Sequence, residues 1–175
     1  MSTNSNICII LKEEDKNKPL KFNIEKIPSV NYSKFNYDKE ELNKIKEINT
    51  DKNILEIYHH WDGYPDGVGK TLIEDYNDYD KALNLILGGD CSSINPPQYE
   101  PYWSIKGEEW EYIKPKEFDE PKLGREYLYK FDKGKWFFKD IYTHDDWTDL
   151  SDFLAKSENE DKVIEFSYHY IRKRK

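Results

Sequence analysis

Tyr58, His60 and Asp62 recur at every second position just before a glycine-rich turn, and that alternation sets three polar side chains on one face of an extended strand. An imidazole beside a carboxylate can act as a general base, with Asp62 fixing the tautomer of His60, while Tyr58 or Lys70 contacts a phosphate. The chemistry implied is hydrolysis of a nucleotide or an RNA. The turn that follows carries Gly63, Tyr64, Asp66 and Lys70, and could instead floor a pocket that sequesters a nucleotide signal without turnover. A structural reading stands beside both: His60 bonded to turn carbonyls, Asp62 capping the turn amides and Trp61 in the core.

The same stretch ends in Gly-Val-Gly-Lys-Thr, which invites comparison with a phosphate-binding loop. That loop needs G-x-x-x-x-G-K-[ST], because its fixed length wraps backbone N–H groups around a phosphate. The first glycine is missing, since Tyr64 holds its position, and Pro65 removes one donor. The stretch is a near miss.

Other reactive side chains are dispersed. His59 falls on the apolar face of the strand and reads as a core histidine. His144, Asp145 and Asp146 offer metal ligands but equally suit a helix start, and His169 has only Glu165 beside it on its face. No spacing of H-E-x-x-H type occurs, so neither a metal nor a cofactor is expected. Cys91, within Asp90-Cys-Ser-Ser93, lacks an adjacent activating group and reads as part of a loop.

These residues are carried by a pattern of short elements. Ile7–Leu11 and Leu20–Ile24 read as strands joined in a hairpin, followed by a loop from Pro28 and a helix from Asp38 to Asn49. Ile54–Trp61 is the next strand, with Leu55, Ile57, His59 and Trp61 on one face and Glu56, Tyr58, His60 and Asp62 on the other. Helices then run to Tyr76 and from Asp78 to Gly88-Gly89. The stretch from Asp90 to Pro101 reads as a loop, Tyr102–Ile113 as aromatic strand and Pro115–Gly124 as irregular. Glu126–Phe131 and Lys135–Ile141 form a hairpin turning at Gly134. Asp146 caps a last helix to Ser157, and Val163–Ile171 is a final strand. The sum is an α+β fold, a mostly antiparallel sheet with three or four helices packed against it. One domain spans 1–175, with 1–6 and 172–175 as flexible ends.

Aromatic residues make up 15% of the 175 residues, too many for a disordered chain despite 35% charged residues. The net charge of −8 argues against an ordinary nucleic-acid surface, leaving the basic end Arg172–Lys175 as the part suited to phosphate contact. Acids stand among aromatic rings at Glu74, Asp75, Asp78 and Asp80, and again at Glu108, Glu109 and Glu111. Such rows can mimic a phosphate backbone to a protein that grips nucleic acid. Two cysteines, no basic leader and no long apolar run place the chain in a cytoplasm rather than a membrane.

Three ordered motifs carry a resemblance: Y-x-H-W-D-G-Y-P-x-x-V-G at Tyr58–Gly69, G-D-x-S-S at Gly89–Ser93 and Y-L-Y-x-F-x-x-G-x-W at Tyr127–Trp136. Over Ile54–Phe138 the chain resembles a widespread family of small proteins carried by bacteriophages, prophages and plasmids. Members of that family often bear an R-D-R-G-E-like segment where this chain has Trp103–Glu109. The resemblance implies a mobile-element accessory protein, acting in the host cytoplasm. Joined to the acidic surface, it suggests an anti-CRISPR-like inhibitor whose partner is a host defence protein, a CRISPR nuclease or its guide complex.

Overall fold

A computed structural model describes residues 3–28, 39–95, 99–104, 112–121, 124–142 and 146–159. The final strand expected at Val163–Ile171, His169, His144, Asp145, Glu108, Glu109, Glu111 and the basic end lie outside the described residues. The architecture is α+β, with four α-helices and an eight-stranded, mostly antiparallel sheet among the described residues.

The strands are β1 (Ser5–Ile10), β2 (Ile54–His59), β3 (Cys91–Ser93), β4 (Glu100–Pro101), β5 (Lys116–Phe118), β6 (Tyr127–Asp132), β7 (Lys135–Asp140) and β8 (Thr148–Asp149). Their order is β4-β3-β2-β1-β6-β7-β8, and β5 also pairs with β2. β1 lies centrally, antiparallel to β2 with Asn6 opposite Tyr58 and parallel to β6. The helices are α1 (Lys39–Lys44), α2 (Lys70–Asp75), α3 (Tyr79–Leu87) and α4 over 150–159.

Strand alternation divides the sheet into two unlike faces. Ile7, Ile9, Leu55, Ile57, Tyr129, Phe131 and Phe138 belong to the main core, with Leu72, Leu85, Ile86 and Leu150 from the helices. The opposite face has a small apolar cluster of Cys8, Ile54 and Leu128, and beyond it turns polar at Asn6, Glu56, Tyr58 and His60. Aromatic residues in the main core bring polar tips that need partners. The hydroxyl of Tyr129 donates to the Gly63 carbonyl at 2.7 Å, and the Trp136 indole donates to Tyr76 O at 2.8 Å.

Several expectations need correction. The early hairpin does not form: β1 pairs with β2 and β6, Leu20 makes a single bridge to Ile48, and Ile24–Lys26 is a 3-10 turn. Long-range pairing with more apolar partners outcompetes the local one. The first α-helix stops at Lys44 rather than Asn49. β3, β4 and β5 fall where the sequence reads as loop or irregular chain, being two or three residues each and too short to show a period. Tyr102–Ser104 is a 3-10 turn, not strand. Ser5 and Asn6 open β1, so the first six residues are not all a loose end. Asp149, not Asp146, caps α4, its Oδ1 accepting from the Asp152 amide at 3.1 Å. The hairpin of β6 and β7 forms as read, with Lys133 and Gly134 at positive φ.

Candidate functional site

The edge of β2 forks. Its first half pairs with β5, Glu56 opposite Lys116, and its end pairs with β3, His59 opposite Cys91. Between those two pairings the Tyr58 amide has no strand partner. The Asp90 carboxylate takes its place, with Oδ1 accepting from the Tyr58 N–H at 2.9 Å. A cavity of about 380 Å³ opens at this fork. Its size falls in the range of small-ligand sites, about 300–1,000 Å³.

Glu56, Tyr58 and His60 line the cavity along β2 at two-residue spacing, joined by Asn6 from β1. Asp90, Tyr102, Lys116 and Arg125 complete the lining. His60 Nδ1 lies 2.7 Å from the Tyr58 hydroxyl. The Arg125 guanidinium sits over the Tyr58 ring, 4.8 Å from its centroid. Among the described residues neither Lys116 nor Arg125 forms an ion pair. Two positive charges thus face the cavity without a bridging carboxylate.

Glu56 is 5% exposed. Its Oε2 accepts from Asn6 Nδ2 at 3.0 Å, while its buried Oε1 has no hydrogen-bond partner. Burial drives its pKa up from 4.5 to about 7; the Asn6 bond and Lys116 oppose the rise, and Asp90 adds to it. Burial also raises Asp90, against the Tyr58 amide and the charges of Lys116 and Arg125. Tyr58 is raised by burial, with Arg125 pulling the other way, so the phenol keeps its proton at neutral pH. A carboxyl poised near neutrality in one cavity with an imidazole and two cations can exchange protons with a bound anion.

Only part of the expected constellation converges. Tyr58 and His60 share the cavity, but Asp62 does not orient His60. β2 ends at His59, and the consecutive amides of His60 and Trp61 both donate to β3, at Cys91 O and Ser92 O, so the alternation breaks there and Trp61 is left 48% exposed rather than in the core. Asp62 follows at φ +55°, and its carboxylate accepts from the Tyr64 hydroxyl at 3.2 Å. His59 is fully buried as expected, and burial lowers its pKa to about 3.

The glycine turn is no phosphate cradle. Gly63, Gly67 and Val68 donate their amides to Thr3 O, Tyr64 O and Asp62 O at 2.8–2.9 Å. Pro65–Gly69 is a π-helical turn running straight into α2, and Lys70 and Asp66 point to solvent. Cys91 is buried and its thiol is pushed up, so it is no nucleophile. Among the acids, Glu74 and Asp75 lie in α2 and Asp80 opens α3. Asp78 caps α3 through the Lys81 amide at 2.8 Å and pairs with Lys81 Nζ at 3.9 Å.

Asn6, Asp90, Tyr102, Lys116 and Arg125 come to the site from segments 6 to 125, and no local spacing links them. The one signal available was Asp90 behind the glycine pair that ends α3, where Gly89 turns the chain at φ +83°. Among the described residues no group of three or more His, Cys, Asp or Glu gathers to hold a metal, and no helix is long and apolar enough to cross a membrane. No protein-family model, curated protein or solved structure matches this chain.

Proposed function

We propose that the protein is a nucleotide- or RNA-directed hydrolase working at the β2 fork, with His60 as an acid–base group. The observation that carries this reading is convergence: His60, the buried Glu56 carboxyl, and Lys116 and Arg125, which form no ion pair among the described residues, meet in one cavity. The cations supply the charge a phosphate needs, and the Tyr58 and Tyr102 rings, 6.5 Å apart, supply apolar surface for a sugar or base. The acidic helices α2 and α3 offer charge without such convergence, because Asp78 is spent on a cap and on Lys81.

Calorimetric titration with the four nucleoside 3′-monophosphates tests the reading. Saturable binding that falls at least about tenfold in Arg125→Ala supports it, this being a loss typical of one charge-assisted contact. His60→Ala should abolish turnover while moving the melting temperature little. Absence of binding, together with salt-sensitive capture of a protein that fails on reversing Glu74, Asp75 and Asp78, would favour the acidic inhibitor.

A further inference from the structure

Along β2 the groups of the fork stand in a fixed sequence: carboxyl, phenol under guanidinium, imidazole. Two residues of strand advance about 6.6 Å, so Glu56 and His60 bracket the Tyr58–Arg125 pair from opposite ends. In-line displacement at phosphorus needs that order, because the attacking and leaving oxygens lie on opposite sides of a phosphate whose charge must be held between them.

A second observation lies just outside the cavity. Trp61 is 48% exposed, and its ring meets His60 edge-on at 4.6 Å. A large ring left in solvent beside a phosphate site offers a stacking face for an unpaired base, the usual way single-stranded RNA is held. A lone nucleotide would fill the cavity and leave this ring unused.

We infer that the substrate is single-stranded RNA, cleaved by its own 2′-hydroxyl, with Glu56 and His60 as the two catalytic residues. The inference rests on the fork being the functional site. Glu56 as carboxylate takes the 2′-hydroxyl proton, and O2′ forms a bond to phosphorus. The bond from phosphorus to O5′ breaks, and His60 as imidazolium gives O5′ its Nε2 proton. The products are a 2′,3′-cyclic phosphate and a free 5′-hydroxyl. Nδ1–H of that imidazolium donates to the Tyr58 oxygen, which fixes the ring. Lys116 and Arg125 hold the non-bridging oxygens. Asn6, through its bond to Glu56 Oε2, is a positioning residue. In the second half-reaction neutral His60 takes a proton from water, the hydroxyl opens the cyclic ester, and Glu56 returns its proton to O2′. The net charge of −8 opposes encounter with RNA only weakly at physiological salt, where the screening length is about 8 Å.

The test uses the full chain with an unstructured RNA oligonucleotide, the same sequence as DNA, and a DNA carrying one ribonucleotide. Cleavage of the RNA and of the chimaera only at its ribonucleotide is expected, leaving 2′,3′-cyclic phosphate ends by mass spectrometry. Glu56→Gln and His60→Ala, purified identically, should each lose at least about 100-fold in rate. Trp61→Ala should raise KM with kcat kept, and Asn6→Ala should shift the lower limb of the pH–rate profile. Glu56 there faces Lys116 from β5, Asp90 ahead of β3 and Cys8 from β1. Equal cleavage of DNA, or 5′-phosphate products, overturns the inference. Binding of nucleoside 3′-monophosphates with no RNA cleavage overturns it too, leaving the fork as a phosphate site. If neither binding nor cleavage occurs, both readings fall.

Discussion

Glu56 is a carboxyl held in β2 at a cost. Its unfolded form ionises near 4.5 and its folded form near 7, so between those values the folded state binds the extra proton. Stability from this residue therefore falls as pH rises from 4.5 to 7 and stays lost above, a difference of about 3 kcal/mol. His59 works oppositely. Its folded pKa of about 3 lies below its unfolded 6.5, so stability falls as pH drops from 6.5 towards 3. The two slopes offset each other between pH 4.5 and 6.5. Denaturant melts across pH should show a nearly flat wild-type profile there. Glu56→Gln should convert it to one that rises with pH, and should leave the variant more stable than wild type at pH 8. A variant less stable at pH 8 would mean that the carboxylate is a stabilising partner.

Elements decided how much could be read in advance. The β6–β7 hairpin was legible because apolar alternation and Gly134 agree locally, and α3 was legible because its apolar face ends at Gly88-Gly89. β5 and β3 were not, because three residues pairing with a distant strand leave no period to detect. His60 and Tyr58 were found through the alternation of β2. Lys116 and Arg125 were not, since only the fork brings them near. Asp62 was misassigned because the strand ends at His59, two residues before the expected Trp61, and the alternation with it. Gly89 makes a test at this scale. Its φ is +83°, and a Cβ there would collide with the Ile113 carbonyl, whereas Gly134 has the same φ with open space around it. Gly134→Ala should cost about 1 kcal/mol, from backbone strain alone. Gly89→Ala should cost clearly more in the same thermal melts, and should weaken ligand binding because it displaces Asp90. Equal costs at both positions would contradict the packing described.

Across the molecule the sheet keeps its roles apart. Helices seal the face bearing Ile7, Leu55 and Tyr129, and the opposite face divides between the small apolar cluster of Cys8, Ile54 and Leu128 and the polar cavity. Tyr129 ties the two together, since its hydroxyl inside the main core holds the Gly63 carbonyl of the turn that follows β2. Tyr129→Phe should cost about 1–2 kcal/mol in stability, and its binding should remain intact if the turn only supports the fork. The account turns on where a ligand sits. Isotope-labelled protein titrated with a nucleoside 3′-monophosphate and followed by NMR measures that directly. Saturable shifts confined to Asn6, Tyr58, His60, Asp90 and Arg125 are predicted. Shifts clustered on Glu74–Asp80, or none at the fork, would contradict it.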